Sequence, residues 1–579
     1  MNEAILPAEW PAMSIEEAER LLTAPGSPYE IEIVEIDGRP TRSWKHAPAT
    51  LRTVLEESRR HAERTFLVYE EERVSYHAFH RAVAVFAQEL IRQGVEPGDR
   101  VAIVMRNLPE WAVAFYAITC IGAIATPLNA WWTGGELAYA LADSGAKIVI
   151  ADFERYRRLK DHMPACPLVQ NIYVSRADSD FAEVDTVEQV IGKPDNWATL
   201  PDAAVPGRTM APDDIATLFY TSGTSGKPKG VLSSHRAINA NIVAAASGGA
   251  RASLRRGEGL PMPDPEAPQK AALQTVPLFH VTGLVGFLNL QLANGAKLVL
   301  MHKWDPVRAF QLIERERITS TGGVPTIAWQ LLEHPARANH DLSSLELISY
   351  GGAPSAPELV RQLRAAFPHS APANGWGMTE TTAGVATNAA EDYIARPDSA
   401  GRPVATSDLE VRDPVDGMTR LPAGTVGELW ARGPQMAKGY WNNPEATAQT
   451  FVDGWVRSGD LARLDEEGFC YIVDRAKDIL IRGGENIYCI EVENILYDHP
   501  AIMDAALVGR PHRTLGEEPV AVVTLKPGAT ATEEELRSHV AARLAAFKVP
   551  VAIRISAEVL PRNPNGKILK PELQKLFAE

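Results

Sequence analysis

Residues 218–230 read LFYTSGTSGKPKG, a run of small hydroxyl side chains and glycines closed by two lysines around a proline. Thr221, Ser222, Thr224 and Ser225 offer hydroxyl donors, Gly223 and Gly226 let backbone N–H groups approach closely, and Lys227 and Lys229 supply positive charge. That is the chemistry of a phosphate grip. A P-loop needs four residues between its first glycine and the Gly-Lys pair, followed by a magnesium-binding hydroxyl. Here two residues separate Gly223 from Gly226 and Pro228 stands where the hydroxyl belongs, so the spacing disfavours a P-loop NTPase. Taken alone, such a stretch is more often a surface turn than a nucleotide site, and the decision falls to what surrounds it.

Three further stretches carry candidate chemistry. In NGWGMTETT at 374–382, Thr379 can bind a phosphate oxygen and Glu380 can reach magnesium, a hard cation that prefers carboxylate oxygens. The competing reading makes Trp376 and Met378 core residues and Glu380 a solvated carboxylate. In the stretch from 454 onward, Asp460 is expected in a turn after a strand, suited to accept both hydroxyls of a ribose, and Arg475 can grip phosphate or ribose oxygens. A capping aspartate and a surface arginine are the alternative. In LPRNPNGKILKPEL, Lys567 follows a Pro/Asn/Gly turn and projects from a rigid loop.

The elements that must position these residues follow from the periodicity. β-branched runs at 100–105, 147–151, 216–221, 297–301 and 345–350 read as strands, and 110–120, 235–246, 306–315 and 356–367 read as helices. The alternation implies layered α/β architecture with largely parallel sheets. Residues 201–214 and 251–270 read as exposed loops. After Gly424 the texture shifts to shorter strands and glycine turns, and a compact tail begins near Arg475. The expected division is an extension at 1–45, helical over 14–22 and without assignable chemistry, a large domain at 46–474, and a small domain at 475–579.

Length and composition bound the function. A chain of 579 residues is too long for one hydrophobic core. A net charge of −15 and a pI near 5.5 argue against a general binder of nucleic acid or anionic membrane. Cys120, Cys166, Cys470 and Cys489 form no CxxC pair, so neither a zinc site nor a disulfide framework is indicated and a cytoplasmic setting is expected. No signal peptide is visible at the start. The uncharged span 111–132 is long enough to cross a bilayer, yet Pro127 and Asn129 interrupt it, and a buried helix-to-strand passage explains it better than an integral membrane segment.

Together the stretches resemble the AMP-forming adenylating family that includes acyl-CoA synthetases, firefly luciferase and nonribosomal-peptide adenylation domains. The resemblance runs from about Leu51 to the end. It rests on YTSGTSGKPKG at 220–230, PLFHVTG at 277–283, GGVPT at 322–326, YGGAP at 350–354 and GWGMTETT at 375–382. It continues through GELWARGPQMAKGYW at 427–441, WVRSGDLA at 455–462, VDRAKDILIRGGENI at 473–487 and LPRNPNGK at 560–567.

The resemblance implies a large domain of layered α/β sheets with a small β-barrel-like subdomain, and a small mobile α+β C-terminal domain. It implies ATP and magnesium as cofactors, CoA as co-substrate and a small carboxylate as partner, with a homodimer left open. A carboxylate attacks the α-phosphorus of ATP, and a thiol then attacks the acyl-adenylate. By the matches, the loop from Thr221 through Ser222, Gly223, Thr224, Ser225 and Gly226 to Lys229 holds the β- and γ-phosphates. Thr379 takes an α-phosphate oxygen, and Glu380 and Thr224 the metal. Gly351, Gly352 and Ala353 flank the adenine, with Gly375, Trp376, Gly377 and Met378 in the same nucleotide site; Asp460 takes the ribose, and Arg475 supports it.

Lys567 matches the adenylation lysine and Lys477 the hinge, while Gly483, Gly484 and Glu485 fall in the loop that lines the pantetheine tunnel. His280 matches a residue near the acyl and thiol entrance, with a structural histidine as the competing reading. Trp376 replaces the family's usual tyrosine, which removes one hydroxyl contact. The acyl-pocket candidates Val281, Gly283, Leu284, Gly322, Val324 and Thr326 are small or mostly apolar and include no arginine or lysine, which suits a hydrophobic monocarboxylate such as a medium- or long-chain fatty acid. Aryl and sterol side-chain acids remain alternatives, as do a ligase that loads a carrier protein or an amine and a nucleotide-binding scaffold without chemistry.

Overall fold

The computed structural model describes residues 10–178, 181–221, 227–260, 264, 267–353, 355–476, 478–483, 485–562 and 567–577. Two large sheets form the body. In the first, of eight strands, the parallel strands Ile124–Pro127, Arg100–Val104, Ile148–Asp152 and Asn171–Ser175 are followed on one side by Ile215–Thr221 and Lys229–Ser234. In the second, of nine, Lys297–Leu300, Ala271–Gln274, Ser320–Gly323, Leu347–Gly351 and Ala371–Met378 run parallel in that order. Register is tight at their C-terminal ends, where Gly323 stands beside Tyr350 and Gly351 beside Gly375. Ligands of open α/β sheets bind outside the carboxyl ends of such strands.

The uncharged span is the buried helix Pro109–Thr119 followed by the strand Ile124–Pro127. Among the described residues no helix is long and apolar enough to cross a membrane. The helix expected to end at 246 instead runs from His235 to Arg255, so the expected exposed loop loses its first turn to helix. Gly248 and Gly249 cost the helix about 1 kcal/mol each relative to alanine, which tertiary contacts offset. Arg255 pairs with Asp392 at 2.9 Å in a buried site and donates to the Met13 carbonyl at 2.8 Å. Propensity read along the chain could not see either partner.

The N-terminal extension is fastened to the body. Ser14 caps the helix Ile15–Leu22, and Asp37 and Gly38 turn a hairpin between Ile31–Ile36 and Arg39–Trp44. Trp44 is buried in one apolar cluster with Ala240, Ala244 and Val404, while Arg42 pairs with Asp408 at 2.6 Å.

The barrel-like subdomain is an antiparallel sheet of Asp408–Arg412, Gly427–Arg432, Trp455–Leu464, Phe451–Val452 and Cys470–Arg475, and it begins upstream of the composition change at 424. The following sheet contains Leu480–Arg482, Glu485–Ile487, Ile502–His512, Gly516–Leu525 and Ala552–Ser556, with the helices Cys489–Tyr497 and Glu533–Ala541 contributing to its core.

Candidate active site

A cavity of about 2440 Å³ lies between the carboxyl ends of these parallel strands, the antiparallel sheet and the C-terminal domain. Its walls bring together Thr221, Lys229, His280, Gly351, Gly352, Ala353, Gly375, Trp376, Gly377, Met378, Thr379, Glu380, Asp460, Arg475 and Lys567. Ser222, Gly223, Thr224, Ser225, Gly226, Lys477 and Gly484 lie outside the described residues.

The TETT segment is shaped by its own hydroxyls. Thr381 Oγ1 accepts from the Met378 N–H at 2.9 Å and closes the short 3-10 turn Thr379–Thr381. The helix His235–Arg255 secures the segment through Asn241, which donates to the Thr382 carbonyl at 2.9 Å. Glu380 is buried rather than solvated, and Tyr440 donates its hydroxyl to Glu380 Oε1 at 2.8 Å. Burial raises the carboxyl's pKa; the Tyr440 hydrogen bond and the charges of Lys567 and Lys229 oppose that rise. A carboxylate so poorly solvated is ready for a cation.

Trp376 and Asp460 form a pair that motif reading did not anticipate. The indole Nε1 donates to Asp460 Oδ2 at 2.8 Å, and Arg475 Nε lies 3.7 Å from the other oxygen. The ring therefore supplies its own polar contact. Asp460 is not in a turn after a strand. It lies within Trp455–Leu464, opposite Arg475, because that strand is paired on both sides and Gly459, at a φ of +70°, redirects the chain without ending it. Trp376→Phe keeps the ring and removes the donor. It is expected to raise the KM for ATP about tenfold, as loss of a hydrogen bond to a charged group does, in a nucleotide titration of pyrophosphate release. An unchanged KM would separate the pair from nucleotide binding.

His280 is half-buried on the cavity wall beside two rings, 4.6 Å from Phe279 and 6.5 Å from Trp131 by centroid. Burial, and then the charge of Lys567, pushes its pKa down to about 3, so the ring is neutral at physiological pH. A purely structural histidine would be hydrogen-bonded, whereas Nε2 here is buried without a partner among the described residues. Lys567 acts electrostatically on both Glu380 and His280, which places the charge of the C-terminal domain in the same part of the cavity.

Of the acyl-pocket candidates, Val281, Val324 and Thr326 are on the wall. Gly283, Leu284 and Gly322 are not; Thr282, Val285, Gly286 and Gly323 take their places. A Cβ on Gly322 would meet the Ser349 carbonyl at 2.0 Å and one on Gly283 the Pro277 carbonyl at 2.1 Å, and Leu284 points into the core. Their residue types serve close packing. Gly483 and Glu485 also lie off the wall, in the hairpin Leu480–Arg482 and Glu485–Ile487, of which Leu480 reaches the cavity that Lys567 also lines.

Tyr440, Arg106 and Trp131 are among the wall residues that escaped sequence reasoning. Tyr440 sits in GYW, and its edge strand pairs with Val231 and Leu232, on the strand that begins at Lys229. Lys229 Nζ lies 5.0 Å from the Tyr440 ring centroid, whereas Lys227 lies 5.0 Å from that of Tyr139, and only Lys229 reaches the wall. Lys229→Ala is expected to slow adenylation about 10- to 100-fold and Lys227→Ala by less than about threefold, since one positioned charge-assisted donor is worth about 1.5–3 kcal/mol. Pyrophosphate exchange measures both, and equal effects would overturn the ranking.

Among the described residues no group of three or more His, Cys, Asp or Glu could hold a metal by itself. A magnesium ion carried on nucleotide phosphates needs only one or two protein carboxylates, and the buried, under-solvated Glu380 fits that requirement.

Residues 54–441 match the family of AMP-binding enzymes, and residues 491–567 match the AMP-binding enzyme C-terminal domain. The chain belongs to this family, as an AMP-forming acid–thiol ligase. It is 32% identical over 551 residues to a long-chain-fatty-acid–CoA ligase of Bacillus subtilis (strain 168), covering 90% of this chain and 94% of that one. It is 34% identical over 506 residues to a feruloyl-CoA synthase of an Amycolatopsis species, covering 87% and 94%. Among solved structures, the anthranilate CoA ligase AuaEII in complex with anthranoyl-AMP superposes with a TM-score of 0.80 at 25% identity, over 91% of this chain and 97% of that one.

Proposed function

We propose that the protein is an ATP-dependent acyl-CoA ligase that activates a hydrophobic carboxylic acid as acyl-AMP and passes the acyl group to CoA. The observation that carries this reading is the convergence of Lys567, from the C-terminal domain, on the cavity that also holds Glu380, His280 and the Trp376–Asp460 pair. Repulsion between a carboxylate and a triphosphate is the first obstacle to adenylation. Lys567 and Lys229 offset it from two sides, and positioned charges of this kind supply most of the catalysis in phosphoryl chemistry.

Asp460 and Trp376 orient the nucleoside, and Thr379 holds an α-phosphate oxygen. Magnesium, when bound with the nucleotide, would neutralise part of the triphosphate charge, with Glu380 as its protein ligand. The apolar wall formed by Val281, Val285, Phe287, Leu290 and Val324 supports a hydrophobic acid, with a medium- or long-chain fatty acid first and an aryl acid second, the latter favoured by the feruloyl relative. The buried free cysteines are in keeping with a cytoplasmic setting.

The test is incubation with ATP, magnesium, CoA and a panel of carboxylates. AMP and a CoA thioester are expected with at least one hydrophobic acid. Absence of AMP with every acid would refute the reading, and AMP without thioester would move it to a carrier-protein or amine acceptor.

A further inference from the structure

Arg106 follows the strand Arg100–Val104 and faces the cavity, although only 7% of the residue is exposed. Its Nε is buried without a hydrogen-bond partner, and its guanidinium lies 4.5 Å from the centroid of the Trp131 ring. The acidic groups in its field are engaged elsewhere. Asp152 accepts the Arg106 main-chain N–H at 2.9 Å and pairs with Arg155 at 3.3 Å, Glu154 pairs with Arg155 at 2.8 Å and with Arg158, and Glu136 accepts from Thr133 at 2.8 Å. Burial, and then the charge of Arg155, draws the Arg106 pKa down to about 10, so it remains a cation in a site that disfavours one. A buried cation without its own counter-ion weakens a fold. Such a liability persists where an anion from outside completes the site.

The surroundings are tied by hydrogen bonds and hold further basic groups. Arg155 Nε and Arg158 Nη1 both donate to the Ala130 carbonyl, at 2.9 and 3.3 Å, and Asn129 Oδ1 accepts the Trp131 N–H at 2.9 Å, which holds the loop that presents the indole. His302 and Lys303 line the same cavity, and burial followed by the charges of Arg106 and Arg155 disfavours protonation of His302. Trp131 in turn stands beside His280. A path of aromatic side chains therefore leads from the cationic corner to the neutral histidine near Lys567.

We propose that Arg106, braced by Trp131, is a subsite for a phosphate group of the thiol co-substrate. The inference rests on the acyl-CoA ligase reading. A planar guanidinium matches phosphate oxygens bidentately. Every group that builds the subsite belongs to the large domain, so it is available whichever face the C-terminal domain presents.

Calorimetric binding of CoA, 3′-dephospho-CoA and pantetheine to the full-length wild type, Arg106→Met and Arg106→Lys tests it, together with KM values for CoA and pantetheine in thioester formation. Arg106→Met is expected to weaken CoA about 10- to 100-fold and to leave pantetheine unchanged, with Arg106→Lys in between. Its melting temperature is expected to equal or exceed that of the wild type, because an uncompensated buried cation is gone. Dephospho-CoA assigns the contact: insensitivity to Arg106→Met points to the 3′-phosphate, and a loss like that of CoA points to the pyrophosphate. Equal losses for CoA and pantetheine, a lower melting temperature with CoA affinity intact, or an altered KM for dicarboxylic acids alone would each overturn the proposal. Wild-type protein that binds CoA with this Arg106 dependence yet forms no thioester with any acid would refute the ligase reading and leave the subsite standing.

Discussion

Lys567→Ala is expected to lower the rate of acyl-adenylate formation by about 10²–10³, the loss that follows removal of one positioned donor from a developing oxyanion. The ammonium lines the cavity, and its charge bears on both Glu380 and His280. In the proposed reaction it is the cation that the C-terminal domain sets where a carboxylate would meet the α-phosphate. Its effect should therefore depend on the half-reaction. Thioester formation from supplied acyl-AMP and CoA does not need the attacking carboxylate to be neutralised, and the variant should retain most of that rate. Pyrophosphate exchange measures the first step and release of AMP from the synthetic adenylate the second. Equal losses in both would contradict a role confined to adenylation and would recast Lys567 as a general support of the site.

Much of this site was legible because its parts are local. The stretches around Gly351 and Thr379 are a strand end and a short turn, and that around Asp460 is a strand segment bent at Gly459; each carries its candidate groups within a few residues, so their order along the chain was enough to assemble a hypothesis. What escaped depends on contacts between distant segments. Asn241 secures Thr382, Tyr440 reaches Glu380, and Arg106 stacks on Trp131. No periodicity announces these meetings.

The errors have the same origin. Gly322 and Gly323 are adjacent, yet alternation along a strand gives one to the Ser349 backbone and the other to the cavity. A glycine motif does not say which is which. Gly248 and Gly249 weaken the helical pattern, and the contacts of Arg255 with Asp392 and with the Met13 carbonyl show why the helix continues. At Trp376 the comparison with tyrosine registered a missing hydroxyl, while the compensating indole donor required the position of Asp460.

Glu380→Gln separates the demands of chemistry from those of folding at one residue. Gln can still accept the Tyr440 hydroxyl, so the 2.8 Å contact has a replacement, but the negative charge is lost. Adenylation is expected to fall about 10²–10³-fold at saturating ATP, with a weaker dependence on magnesium concentration. In the wild type the same rate should fall as the solution is acidified through the raised pKa of Glu380, because protonation would remove the anion proposed to hold the metal.

Stability should move the other way. Burial raises the folded-state pKa above the unfolded value, so the contribution of this group to stability is fully present below the unfolded pKa and is lost as pH rises through the folded one. At neutral pH the wild type bears the cost of a buried carboxylate, which Gln avoids. The variant should melt at the same or a higher temperature near neutrality, and any such advantage should shrink in acid. A variant that melts lower at neutral pH and loses activity in proportion would mean that the Glu380 charge chiefly holds the turn together, and its assignment to the metal would fall.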